Sequence, residues 1–223
     1  MILKPAPFIV ISGDSGTGKT TLQYNLADRF DLDDIAGGGL MRAIALILIR
    51  NNIPIQNTDI DFVRKLFETN AFLDDTNNPD IKGPDFAKLA TTLCEQPPIK
   101  RMLTEWTMNR YRMGSTKDAM LQDIHGQYYH CYKNADLHFH LVADTDICAV
   151  RKWRYYVGMG VQISLSAARD EIGFRNYHDR RRPGVRPNPL AVEINTSYIS
   201  KETVAGIAAG HIRQRLFLKE RGA

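Results

Sequence analysis

The sequence predicts an α/β fold of the P-loop NTPase type, three layers in which helices flank a parallel sheet. Three observations carry that reading: a buried apolar run, Phe8 to Ser12, that empties into a glycine-rich loop; a helical stripe directly after the loop; and strand and helix patterns that alternate to the end of the chain. Repeated strand–helix units require crossover connections, which return each strand parallel to its neighbour.

In order, Phe8 to Ser12 reads as a buried parallel strand stopped by Gly13. Lys19 to Phe30 reads as a helix, with Leu22, Leu26 and Phe30 at i, i+4 and i+8 forming one stripe. Asp31 to Asp34 reads as a polar link to Ala36-Gly37-Gly38-Gly39, and Leu40 to Asn51 as a helix ended by Asn-Asn and Pro54. Thr58 to Asn70 and Asp85 to Gln96 follow as amphipathic helices around a turn-rich stretch, Asp74 to Pro84. Pro97-Pro98 reads as a break, and Ile99 to Arg112 as a helix with a basic outer face. Ala119 to Gln122 and Leu137 to Val142 are strand candidates, the second alternating Leu, Phe and Leu with His as a half-buried strand would. Thr145 to Tyr156 and Ser166 to Arg182 read as helices separated at Gly158 and Gly160, which serve as hinges or as ordinary helix stops. Ala191 to Asn195 is a last strand, and Ser200 caps a helix from Glu202 to about Leu218.

At 223 residues with 43% hydrophobic and 24% charged residues, the chain has the composition of one globular domain rather than of a disordered or collagen-like polymer. The longest apolar run, Ala43 to Ile49, is far short of a bilayer span, and the first residues lead straight into the loop without a cleavage site. A cytoplasmic location without membrane contact is the expectation. Cys94, Cys131 and Cys148 lack metal or disulfide spacing and read as buried thiols. The net charge of +4 is mild, but Arg175 to Arg186 holds five arginines, a concentration that suits phosphate ligands or a solvated surface.

The chemistry starts at Gly13-Asp14-Ser15-Gly16-Thr17-Gly18-Lys19-Thr20, which fits GxxxxGK[ST] and, with Thr21, lies between a buried strand and a helix as that motif requires. Glycines let the backbone wrap phosphates, the helix start offers unpaired N–H groups, Lys19 bridges the β- and γ-phosphates and Thr20 gives Mg²⁺ a hydroxyl ligand. ATP and Mg²⁺ are the implied cofactors. The chain has no NKxD and no DxxG where a GTPase carries it, nor the long acidic-ended strand of a transport ATPase, which leaves a small kinase.

From Ala36 to Ser200 the chain resembles bacterial cytidylate kinase, a nucleoside monophosphate kinase. The resemblance is carried by Arg175-Asn176-Tyr177-His178-Asp179-Arg180-Arg181-Arg182, by Pro189-Leu190, by Glu193 to Ser197, and by Leu40-Met41-Arg42-Ala43, Pro97-Pro98-Ile99-Lys100, Ala135 to His138 and Ala149 to Lys152. It implies one kinase domain, residues 1–223, with a mobile acceptor-binding insertion at about 36–113 and a lid at about 151–186. It implies a small nucleotide as acceptor, CMP or dCMP in the first instance, with nucleic acid not favoured. Arg42 and Arg175 would hold the acceptor phosphate, with Thr91, Lys100 and His125 in the same pocket; Asp179 would accept from the sugar hydroxyl; Arg151 and Arg182 would neutralise the phosphoryl group in transfer. Each arginine also has a plain reading as surface charge or helical ion pair, Arg175 with Asp179 for example.

Three departures fall on acceptor recognition. The family's acidic-hydroxyl-glycine segment is Ala36-Gly37-Gly38, its GRD is Ile124-His125-Gly126, and Asp14 puts a carboxylate in the phosphate loop. His125 either replaces the missing arginine as a donor or is structural. Asp123, at the end of a central strand, is placed to reach Mg²⁺ through water, to act as a base, or to cap a turn. A kinase acting on a hydroxyl of a nucleoside, sugar or modified DNA base, with Asp123 as base, and a silent nucleotide-binding module therefore stay open beside the monophosphate kinase.

Overall fold

The computed structural model describes residues 7–76, 78–112, 120–125, 132–181 and 184–221, with the backbone alone at 36, 111–112 and 120–125. Five strands, β1 (Phe8–Gly13), β2 (Asp33–Ala36), β3 (Met120–His125), β4 (Leu137–Val142) and β5 (Val192–Asn195), form one sheet in the order β2-β3-β1-β4-β5. All four pairings are parallel, as the alternation of elements requires. The chain divides into two compact units, Met1–Ala36 with Arg110–Ala223, and Gly37–Asn109.

The first unit holds the sheet. Helix α1 (Lys19–Phe30) turns Leu22, Leu26 and Phe30 onto Ile9 and Ile11 of β1, together with Leu137, Phe139 and Leu141 of β4 and Ile194 of β5. The C-terminal helix, which we label α8 (Lys201–Leu216), adds Val204, Ala205, Ala208, Ala209 and Ile212 to the same cluster. Its alanines allow a close approach where larger side chains would hold the helix off the sheet. Ser200 starts that helix as expected, its hydroxyl accepting from the Thr203 amide at 3.1 Å. Asp31, in the left-handed conformation at φ 53°, stops α1. Two further helices, α6 (Thr145–Gly158) and α7 (Leu165–Arg181), pack on each other and bury Cys148, Ala149 and Ile172.

The second unit is helical: α2 (Gly37–Arg50), α3 (Ile60–Thr69), a 3₁₀ turn (Pro79–Lys82), α4 (Pro84–Glu95) and most of α5 (Pro97–Arg112). Asp59 caps α3 by accepting from the Asp61 and Phe62 amides, both at 3.0 Å. Phe67, Phe72 and Trp106 meet edge to face and tilted, with centroids 5.2–6.5 Å apart.

Several boundaries differ from the sequence reading. The second half of the segment read as an acidic link, Asp33 and Asp34, starts β2, because Leu32 and Ile35 are buried and the backbone pairs with β3 despite three aspartates in four residues. The glycines at 37–39 lie inside α2 rather than before it. Helix α4 ends just before Pro97-Pro98, as read, but the two prolines open α5 rather than precede it, since the first turn of a helix needs no N–H from proline. The strand read as 119–122 runs on to His125, so Asp123 is its fourth residue of six and not its end. Strand β4 is mostly buried, His138 included at 3% exposure, because Leu137, Phe139 and Leu141 join the cluster under α1 and α8 while Tyr132 stacks on His138. Cys148 is buried as read, Cys94 is half-buried, and Cys131 lies outside the described residues. No helix among the described residues is long and apolar enough to cross a membrane.

Leu26→Ala, which empties a fully buried position, is expected to lower the free energy of unfolding in urea by about 3 kcal/mol, and Ser200→Ala, which removes one cap, by about 1 kcal/mol. A loss at Ser200 equal to that at Leu26 would contradict the weighting of packing over capping.

Candidate active site

Strand β1 delivers the chain into the phosphate loop through Gly13, whose φ is 147°. A Cβ on Gly13 would lie 2.3 Å from the Leu141 carbonyl oxygen, a backbone atom that cannot give way. Gly16, at φ 83°, is as constrained: its Cβ would sit 2.8 Å from Cys148 Cβ and 2.9 Å from the Cys148 oxygen. Tight contact with β4 on one side and α6 on the other therefore shapes the loop, and burial beside it pushes the Cys148 thiol pKa up.

The loop is held from within and from behind. Lys19, 5% exposed, donates from Nζ to the Asp14 carbonyl oxygen at 2.8 Å, and Thr17 Oγ1 donates to the same oxygen at 2.9 Å. The ammonium is thus kept in the curl of the loop rather than in solvent. Behind it, Thr196 Oγ1 donates to the Thr17 oxygen at 2.9 Å, and Arg151 donates to Thr196 Oγ1 at 3.0 Å and to the Thr196 oxygen at 2.5 Å. Arg151 is tied to the loop through Thr196, which the sequence reading quoted in the Glu193 to Ser197 run without giving it a role.

Helix α7 touches the loop directly. Asn176 Oδ1 accepts from the Ser15 amide at 2.9 Å, Arg180 bonds to the Asp14 carboxylate, and Arg175 Nη1 lies 3.5 Å from Ser15 Oγ. Arg175 and Asp179 are buried on this helix at 6% and 3% exposure. Glu171 lies 3.8 Å from Arg175 and 3.6 Å from Lys152, whose ammonium also sits 4.7 Å from the Tyr156 ring centroid. The sequence reading quoted Asn176 and Arg180 within the arginine motif but gave them no role; their i,i+4 spacing was the available signal.

A polar seam runs beneath the loop. Ser12, His138 and His140 share one face of the β1–β4 pair, Ser12 being opposite His140 in the register. Asn188 Oδ1 accepts from the Leu190 amide, so its Nδ2 faces His138 Nδ1 at 2.7 Å and makes that nitrogen the acceptor. His138 then donates from Nε2 to Ser12 Oγ at 2.7 Å, and Ser12 donates on to His140 Nδ1 at 2.8 Å. Both rings are neutral in this chain of bonds. Tyr132 stacks on His138 with centroids 5.1 Å apart. Burial, and secondarily the neighbouring His140, push the His138 pKa down to about 4; burial lowers His140 as well, against the pull of Glu193 and Asp14.

The remaining predicted residues are placed as follows. Gly18, at φ 97°, precedes α1, and Thr20 and Thr21 are exposed in its first turn. Asp123 pairs with Ile11 and His125 with Gly13 in the β1–β3 register, so their backbones run beside the entry to the loop. Their side chains, and Arg182, lie outside the described residues. Arg42 on α2, Thr91 on α4 and Lys100 on α5 share the second unit, where Thr91 is buried and donates to the Ala87 oxygen at 3.0 Å.

A glycine-curled loop with a buried lysine, entered from a central parallel strand and approached by an arginine-bearing helix, defines a P-loop phosphotransferase. The sequence comparisons agree. A family model described as cytidylate kinase matches residues 9–214. The cytidylate kinase of Mesomycoplasma hyopneumoniae (strain 7448) is 26% identical over 199 residues, covering 86% of this chain and 84% of its own length. That of Coxiella burnetii is 24% identical over 228 residues, covering 95% and 94%. Among solved structures, a sugar kinase from Janibacter sp. covers 96% of both chains at 14% identity with a TM-score of 0.49. The chain belongs to the cytidylate kinase family, and it is an ATP-dependent kinase that transfers a phosphoryl group to a nucleotide.

The seam carries a pH signature. His138 is neutral in the fold, while the unfolded chain takes up its proton below the ordinary value of 6.5. Its contribution to stability is complete above pH 6.5 and shrinks as pH falls to about 4, by about 3 kcal/mol over that window. His138→Gln is expected to flatten the pH dependence of the unfolding free energy there; an unchanged slope would contradict the neutral assignment.

Proposed function

We propose that the acceptor is a pyrimidine nucleoside monophosphate, CMP or dCMP, which gains its second phosphoryl group as ATP becomes ADP. The observation that supports this most is the burial of Arg175 and Asp179, a cation and an anion, on the helix whose side chains reach the loop at Asp14 and Ser15. Both are also paired within the protein, Arg175 with Glu171 at 3.8 Å, so they are held in place on that helix before any ligand arrives. In this reading Arg175 grips the acceptor phosphate with Arg42, and Asp179 accepts from the sugar hydroxyl. Thr91, Lys100 and His125 complete the acceptor pocket, with about 36–113 as the acceptor-binding segment.

Transfer then needs little covalent help from the protein. Lys19 and the loop amides position the triphosphate, and Arg151 and Arg182 neutralise charge on the phosphoryl group. Thr20 and Asp123 would hold Mg²⁺, which would supply further charge neutralisation when bound. Closure of the segment at about 151–186 excludes water from the γ-phosphate. A monophosphate acceptor is already anionic, so no general base is required.

An ADP-coupled assay over CMP, dCMP, UMP, dTMP, free nucleosides and oligonucleotides tests the acceptor, with CMP or dCMP expected to give the highest kcat/KM. Lys19→Ala should lower kcat by about 10²–10³, as loss of a principal charge-stabilising donor does, while Asp123→Asn should stay within about tenfold of wild type. Preference for a nucleoside or an oligonucleotide, together with a severe loss in Asp123→Asn, would favour a hydroxyl acceptor instead. Near wild-type turnover by Lys19→Ala would overturn the loop assignment.

A further inference from the structure

Asp14 sets a carboxylate into a loop shaped for anions. Among the described residues Arg180 alone hydrogen-bonds that carboxylate, because Lys19 and Thr17 both use the Asp14 main-chain oxygen. Arg180 stands one helical turn after Asn176 on α7, and Asn176 takes the next loop residue through the Ser15 amide. Two side chains on one helix face therefore hold consecutive loop residues, one by charge and one by a neutral amide.

As a stabilising device the ion pair is minor, since the Arg180 side chain is 68% exposed and such pairs contribute little to folding. Its location gives it another task. An uncompensated carboxylate at Asp14 would repel every phosphate the loop is built to receive. We propose that Arg180 is a positioning residue that cancels the charge of Asp14, so that this loop accepts a polyphosphate and the approach of α7 is coupled to ATP binding. This rests on the P-loop reading. Asn176 fits the same logic: its oxygen meets the Ser15 amide without adding a second negative charge beside Asp14.

The test is the dissociation constant for ATP with Mg²⁺, measured by calorimetry without acceptor, for wild type, Arg180→Ala, Asp14→Asn and the double variant. Arg180→Ala is expected to weaken ATP about tenfold, which corresponds to about 1.4 kcal/mol. Asp14→Asn alone should stay within about twofold of wild type, because it removes the charge that Arg180 cancels. The double variant should fall within about twofold of wild type, a non-additivity expected of residues that act as a pair. The Arg180→Ala penalty should shrink from ATP to ADP to AMP, which a merely structural effect would not do. Equal thermal midpoints for all four proteins establish that folding is intact. Unchanged ATP affinity in Arg180→Ala overturns the proposal, and so does a penalty that persists in the Asp14→Asn background, which would mean that Arg180 meets phosphate itself. Failure of the underlying P-loop reading has a separate mark: Lys19→Ala would bind ATP as wild type does.

Discussion

The site depends on the approach of Gly13 to the Leu141 carbonyl. With only 2.3 Å left for a Cβ and φ at 147°, no side chain fits, and the backbone can leave β1 at an angle that opens the next residues into a curl. Everything downstream inherits that exit. The curl places the Asp14 oxygen where both Lys19 and Thr17 donate to it, and it brings Gly16 against Cys148 of α6. Packing behind the sheet, with α1 and α8 on Ile9, Ile11, Phe139 and Leu141, keeps β1 and β4 rigid enough to impose the contact.

Around the loop, each cation is held by a partner, some neutral and some charged, rather than left in solvent. Lys19 leans on a carbonyl, Arg151 on Thr196, Arg180 on Asp14, and Glu171 sits between Arg175 and Lys152. Cations held this way are oriented in advance, so a phosphate that arrives meets donors already in place, which is the form of stabilisation phosphoryl transfer uses most. The neutral seam of Ser12, His138 and His140 serves the same end from below, holding the last residues of β1 without placing a charge under the loop.

Much of this was legible in the sequence. The strand–loop–helix unit announces itself because its apolar run, glycine spacing and Lys-Thr ending each have a local physical cause. The buried stripe of α1 and the Ser200 cap read equally well, since both depend on near neighbours. Strand β2 did not, because Asp33 and Asp34 outweigh Leu32 and Ile35 in any local count and only pairing with β3 makes the segment extended. His138 was misread as facing out because its partners, Ser12 and Asn188, are far away in the chain, whereas His140 is half-exposed as read. The roles of Asn176 and Arg180 were not readable for the same reason: they touch residues more than 160 positions earlier.

The central claim is that the backbone of residues 13–20 receives the triphosphate tail. Amide NMR of the protein titrated with ATP, ADP and AMP in the presence of Mg²⁺ tests it most directly. The account predicts that the Ser15 to Thr20 amides shift strongly with ATP and ADP and far less with AMP. Saturating ATP that left those amides unmoved while perturbing others would contradict it.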